Sequence, residues 1–231
     1  MKFFRSANNE KGVFENRSEY SFDQYQASIY FMPILHKEII ITQKNIGKMD
    51  INKIIKTDLF RYGGLTGLKG FFRGMRIPGF RYTYLLRKAS NCSKYSVKGL
   101  FYRFLILKHS YKYGFQIPIS TQIGEGFYIG HFGTVVINGK AKIGNNFTIT
   151  HGITIGQANR GKLKGYPTLG DKIWVGTGSV IVGNITIGSN VLIAPNSFVN
   201  FDVPDNSLVI GNPAKIIKKN NPTEGYIMYS V

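Results

Sequence analysis

From Ile117 to Val199 an aliphatic residue returns at a fixed interval. Ile117, Ile123 and Ile129 are six apart, as are Ile143, Ile149 and Ile155, and then Val175, Ile181, Ile187, Ile193 and Val199. The residue after each is often small, as at Gly124, Gly130, Gly144, Gly156, Gly170, Gly176, Gly188 and Ala194. An α-helix repeats every 3.6 residues and a strand every 2, so neither sustains a period of six. Six residues fit one short strand plus one corner of a triangular coil, with three such units to a turn. The aliphatic side chain then points inward and stacks on its equivalent one turn above. The pattern predicts an all-β parallel β-helix built on a six-residue unit.

The rhythm breaks twice. Ile137 follows Ile129 after eight residues, and Leu169 follows Ile155 after fourteen. Insertions in a repeat map to loops. The first loop adds two residues around His131, and the second adds eight between Gln157 and Thr168. Counting three units per turn places Ile129 and Ile149 one turn apart, with Val175 one turn further. His131 and His151 each lie two positions past those residues. They are expected on one face of adjacent turns, about one strand spacing or roughly 4.8 Å apart along the backbone. Thr177 continues the same column.

Upstream the period changes. Ile51, Ile54, Ile55, Leu59 and Phe60 have helical spacing after Asp50, a suitable N-cap. Gly63-Gly64 breaks the chain. A second helix is expected from Leu65 to Met75, stopped near Pro78-Gly79, a third from Phe80 to Lys88, and a longer one from Ser96 to Tyr113. Residues 1–48 show no sustained period beyond a short strand candidate at Ile39–Thr42. Two readings of 1–48 stand side by side: an N-terminal extension, or a reading frame extended upstream of a true start at Met49. The expected organisation is therefore 1–48, a helical segment 49–115, the β-helix 116–217 and a C-terminal tail 218–231.

Composition adds three constraints. Hydrophobic residues make up 43% and charged residues 18%, which indicates a globular protein. Cys92 is the single cysteine, so an internal disulfide framework is excluded, and the bland reading of Cys92 is a small apolar filler. The net charge is +18, of which +12 falls in residues 49–115. Three readings fit that basic, aromatic segment: a solvated helical face, a surface for an anionic membrane or a pyrophosphate-lipid-linked sugar, and a nucleic-acid contact. No nucleic-acid motif accompanies the charge, so no nucleic-acid partner is expected. The opening residues lack a signal-peptide pattern, and the best apolar run, 27–35, is shorter than the roughly 20 residues a bilayer span needs. A cytoplasmic protein is expected, with 49–112 the candidate for contact with the inner face of the membrane.

Three stretches carry a resemblance: Ile123-Gly124-Glu125-Gly126-Phe127-Tyr128-Ile129-Gly130-His131, the turn from Ile149 to Gly156, and Gly211-Asn212-Pro213-Ala214-Lys215-Ile216-Ile217. Over about residues 117–217 the chain resembles the serine acetyltransferase branch of the hexapeptide-repeat acyltransferases. The helical segment, especially Pro78-Gly79-Phe80-Arg81-Tyr82, looks more like relatives from capsule and exopolysaccharide biosynthesis. The resemblance implies a left-handed β-helix, a homotrimer with active sites at subunit boundaries, acetyl-CoA as co-substrate with no metal, and His131 as general base. An alcohol is a weak nucleophile until its proton is taken, and imidazole ordinarily titrates near neutral pH. His151 is a weaker candidate, as a substrate contact, a support for His131 or a structural residue. The oxyanion formed on the thioester needs fixed donors, for which backbone N–H groups near Gly156 and Gln157 are candidates. For acetyl-CoA the resemblance points to Gly176, Thr177, Gly178, Ser179, Pro195 and Asn196, with Lys215, Lys218 and Lys219 facing its phosphates.

The departures from the pattern lead to a further expectation. Gly130 stands where the family has an Asp before the His, Gln116 where it has the Asp that orients the His, and Tyr166 where it has a second His before Pro167. These three, with Arg160, are the candidate acceptor contacts. Their identities argue against L-serine and for a sugar or polysaccharide-precursor hydroxyl; serine is the alternative acceptor. Two distant alternatives are a carbonic-anhydrase-like metalloenzyme, which commonly needs three His ligands, and a non-catalytic scaffold. Arg160, Lys162 and Lys164 are read equally as phosphate contacts or solvated loop charges. Trp174 is read as packing between subunits.

Overall fold

A computed structural model describes residues 50–231; the strand candidate at Ile39–Thr42 and the Met49 start lie outside the described residues. Four helices come first: α1 (Ile51–Phe60), α2 (Gly67–Gly74), α3 (Pro78–Asn91) and α4 (Val97–Tyr113). Asp50 caps α1 by accepting the N–H of Asn52 at 3.0 Å. Ser96 caps α4 by accepting the N–H of Gly99 at 3.0 Å. Pro78 does not merely stop the preceding helix: it occupies the first turn of α3, where its missing N–H leaves nothing unsatisfied. Gly114 ends α4 at φ +73°, a left-handed conformation that glycine adopts without strain.

Strands follow three to a turn. The first turn holds β1 (Phe115–Gln116), β2 (Gln122–Ile123) and β3 (Tyr128–Ile129). The second holds β4 (Val135–Ile137), β5 (Lys142–Ile143) and β6 (Thr148–Ile149), and the third β7 (Ile153–Gly156), β8 (Thr168–Leu169) and β9 (Ile173–Val175). Then come β10 (Val180–Val182), β11 (Thr186–Ile187) and β12 (Val191–Ile193), followed by β13 (Phe198–Val199) and β14 (Ser207–Gly211). The strand β15 (Ala214–Lys218) folds back antiparallel on β14. All other pairings are parallel, and the strands form three sheets, β1-β4-β7-β10-β13, β2-β5-β8-β11 and β3-β6-β9-β12-β14-β15. The result is a left-handed parallel β-helix of about five turns, preceded by helices.

The inward ladder is the six-residue pattern made solid. Ile129 pairs with Ile149, Ile149 with Val175, Val175 with Ile193 and Ile193 with Val209. All five are at most 1% exposed. Burying one such side chain contributes about 1.5–3 kcal/mol, so the column adds cohesion along the coil axis.

The helices close the open edge of the first turn. Arg87 of α3 forms a bidentate ion pair with Asp58 of α1, at 2.8 and 3.2 Å, and donates to the carbonyls of Ile123 and Gly124. Asp58 also accepts the N–H of Phe127 at 2.8 Å. Burial pushes the Asp58 carboxyl up from its ordinary range, while Arg87 and the Phe127 N–H pull it down. Tyr62 accepts the N–H of Ile129 at 3.0 Å and faces the Ile129 carbonyl at 3.4 Å. Burial pushes the Tyr62 hydroxyl well above its ordinary value, so it keeps its proton to donate. The backbone groups of β3, which an exposed edge would leave unpaired, are thus satisfied by side chains.

The C-terminal residues return to the same end. Val231 exchanges hydrogen bonds with the Asn146 side chain, and the Met228 carbonyl accepts from Arg61. Trp174, expected at a subunit contact, packs against Tyr226 of this tail with ring centroids 4.8 Å apart.

Candidate active site

The edge between the β3-β6-β9-β12 sheet and the β4-β7-β10-β13 sheet collects the candidate residues. His131, His151, Thr177 and Pro195 each sit two positions past a member of the paired ladder, so they stack one per turn along it. The His131 and His151 rings lie 5.7 Å apart, centroid to centroid, at 90° to one another. Both are exposed.

The backbone around them is fixed by neighbouring turns. The two extra residues let the chain bulge after His131, and the Gly133 N–H anchors the bulge to the Tyr113 carbonyl at 2.9 Å. Gly133 has φ +134°, and a Cβ there would come within 3.1 Å of the His151 Cβ. Glycine at 133 therefore gives His151 its place beside His131. The Gly130 N–H donates to Ile149 at 2.8 Å. The His151 carbonyl accepts the Gly178 N–H at 3.1 Å, and Thr177 donates to Thr150 at 3.1 Å. Of the described histidines, His109 has a ring hydrogen bond, between Nδ1 and the Leu105 carbonyl at 2.8 Å within α4. Among the described residues no group of three or more His, Cys, Asp and Glu is placed to hold a metal.

Further along this edge, Pro195 and Asn196 are exposed, and Thr177 and Gly178 are half-buried. Ser179 is among the expected cofactor contacts. It is fully buried, its hydroxyl donates to the Ala194 carbonyl at 2.9 Å, its N–H to Gly176, and its carbonyl accepts from Thr154. Gly176 is likewise buried, with its N–H spent on Ile193 at 2.8 Å. Lys215 and Lys218 project from β15 as exposed side chains.

The remaining candidates are elsewhere. Gly156 ends β7, at the base of the long loop, which belongs to the next corner of the coil. That loop is folded: Ala158 and Gly165 exchange backbone hydrogen bonds at 3.1 and 3.0 Å, and the Leu163 carbonyl accepts from Asn184 at 2.9 Å. Arg160, Lys162 and Lys164 are exposed on it, and the Tyr166 ring lies 5.0 Å from the Lys140 ammonium. Gln116 is on β1 beside Val136, on the flat sheet between the two corners. One chain therefore gathers His131 and His151 with the Thr177–Asn196 edge and places the long loop at a different corner, with Gln116 on the sheet between the two. The sequence reading missed the residues that hold this edge in place, Tyr62, Asp58 and Arg87, because contacts across 29 to 69 residues leave no local pattern.

Comparison with known proteins adds the chemistry. A family model of bacterial hexapeptide transferases (six repeats) matches residues 166–200. The serine acetyltransferase of Helicobacter pylori is 40% identical over 106 residues, 46% of this chain and 62% of that protein. The chain thus spans less than two thirds of the length of such curated relatives. The crystal structure of Neisseria gonorrhoeae serine acetyltransferase superposes with TM-score 0.61 at 30% identity, over 78% of this chain and 70% of that one. A serine acetyltransferase from Brucella abortus in complex with coenzyme A superposes with TM-score 0.62 at 26% identity, over 73% and 68% of the two chains. These relatives overturn the expected sugar or polysaccharide acceptor, and with it the capsule and exopolysaccharide affinity. The sugar expectation rested on the identities of Gln116, Gly130 and Tyr166. The fold places them on a sheet, on the histidine edge and in a loop at another corner, so within one chain Tyr166 does not share a corner with Gly130.

Proposed function

We propose that this chain, which belongs to the hexapeptide-repeat acyltransferase family, transfers the acetyl group of acetyl-CoA to the hydroxyl of L-serine. The observation that carries the reading is the stacked His131–His151 pair, 5.7 Å apart on the edge of a coil that resembles serine acetyltransferases in sequence and in fold. His131 takes the proton of the serine hydroxyl as its oxygen attacks the thioester carbonyl carbon. The tetrahedral oxyanion is met by backbone N–H donors, for which Gly156 at the base of the long loop is the candidate. Collapse breaks the carbon–sulfur bond, and the proton passes to the departing CoA thiolate. The products are O-acetylserine and free CoA.

Acetyl-CoA is assigned to the edge beyond the histidines, along Thr177, Gly178, Pro195 and Asn196, with Lys215 and Lys218 as cations for its phosphates. The 26%-identical relative with coenzyme A bound supports this co-substrate. A homotrimer completes the site: the long loop with Arg160 and Tyr166, held away from His131 in its own chain, reaches the histidine edge of a neighbour, and Gln116 lines the approach. The test is release of free thiol from acetyl-CoA by the purified protein. Release that depends on L-serine is expected; release with no dependence on L-serine sinks the reading.

A further inference from the structure

Helix α4 is apolar on two opposite faces, and the fold uses one of them. Gly99, Ile106 and Tyr113, spaced by seven, are buried. On the opposite face Val97, Leu100, Phe101, Phe104, Leu107 and Tyr111 follow one another at intervals of mostly three and four, a single stripe along the helix. They are between 44% and 85% exposed. A continuous apolar face of this size on a described surface indicates a contact that the chain does not make with itself among the described residues.

The charge around the stripe says what kind of contact. Lys98, Lys108 and Lys112 flank it on one side and Arg103 on the other. Twelve Lys and Arg and no Asp or Glu lie between Asp58 and Glu125, and all but the buried Arg61 and Arg87 are at least partly exposed. A second copy of the same face would bring like charge against like charge. An anionic bilayer surface meets both features at once: it accepts apolar side chains below the headgroups and draws the lysines to the phosphates. No described helix is long and apolar enough to cross a membrane, which leaves α4 to lie in the interfacial plane. The aromatic content of the stripe suits that depth.

We infer that α4 docks this chain onto anionic lipid bilayers through its exposed stripe and the flanking basic side chains. The inference is independent of the acetyl-transfer reading, since none of these residues belongs to the histidine edge. Tyr113, at the end of α4, holds the loop that follows His131, so docking sets that edge near the lipid surface.

The test is co-sedimentation of the full chain with vesicles of phosphatidylcholine alone and of phosphatidylcholine mixed with phosphatidylglycerol. Binding to the mixed vesicles is expected, at least about 10-fold above the neutral ones, and weakening as salt shortens the Debye length. The pair Lys108→Glu/Lys112→Glu is expected to reduce it by about 30-fold or more, from the roughly fivefold that each basic side chain near the surface supplies. The pair Phe101→Ser/Phe104→Ser is expected to reduce it as well, with circular dichroism confirming that both variants fold. Equal binding to neutral vesicles overturns the inference, as does binding untouched by either pair. A change in solution mass for Phe101→Ser/Phe104→Ser with vesicle binding intact also overturns it, and assigns the face to a second copy.

Discussion

His131 and His151 are neighbours because of counting, not because of local structure. Their separation in sequence is 20 residues, the length of one turn plus the two inserted residues. That arithmetic was legible in the sequence, since the ladder Ile129–Ile149 fixes the register that places them. Their roles differ in what they can be replaced by. Substituting His131 with Ala removes the proposed proton acceptor and is expected to lower turnover by about 10²–10⁴-fold with the fold unchanged. His151→Ala is expected to lower it less, and thiol-release kinetics on both variants rank them. A His151 variant more damaged than the His131 variant would exchange their assignments. Tyr62 makes the opposite lesson. Nothing in the sequence marks it, yet its hydroxyl serves the Ile129 backbone two residues before His131. Tyr62→Phe leaves a buried N–H without its acceptor, and a loss of about 1–3 kcal/mol in unfolding free energy is expected, read by denaturant titration.

Among the elements, the coil was legible and its cap was not. A six-residue period is visible because every turn repeats the same burial, whereas the cap depends on single contacts between distant segments. Arg87 counts in the sequence as one more positive charge on a basic segment. In the fold it is buried, paired with Asp58 and bonded to the carbonyls at the end of β2. Its charge therefore does structural work that a tally of Lys and Arg cannot separate from surface charge. Arg87→Met leaves the Asp58 carboxylate buried without its partner and is expected to destabilise by about 3–5 kcal/mol. Lys53 offers the contrast: it reaches Glu125 at 3.9 Å from an exposed position, and Lys53→Met is expected to change stability by about 0–1 kcal/mol. Equal effects of the two substitutions in urea unfolding would remove the case for a cap held by the buried pair. Gly79 marks the same junction, because a Cβ there would lie 2.1 Å from the Ile129 carbonyl oxygen. Gly79→Ala must push α3 off β3, with an expected cost of about 1–3 kcal/mol in the same titration.

At the scale of the whole molecule, the likeness of the coil to serine acetyltransferases outweighs the three departures, at Gln116, Gly130 and Tyr166, from which a sugar acceptor was expected. The histidine edge and the long loop stand at different corners of the triangle, and rotation about a threefold axis is the simple operation that brings one to the other. Light scattering is expected to return three times the 26.0 kDa chain mass. Mixing supplies the sharper test. Chains carrying His131→Ala keep a normal loop, and chains with residues 159–164 replaced by a short glycine linker keep a normal histidine edge. Each alone is expected to be nearly inactive. Unfolded and refolded together in equal amounts, they are expected to form trimers in which an intact histidine meets an intact loop at about one boundary in four, so that about a quarter of the native rate returns. A mixture no more active than its components would mean that histidine and loop serve the site from the same chain. The loop would then have to cross the β4-β7-β10 face to reach His131, although the hydrogen bond from Asn184 to its Leu163 carbonyl holds it at its corner.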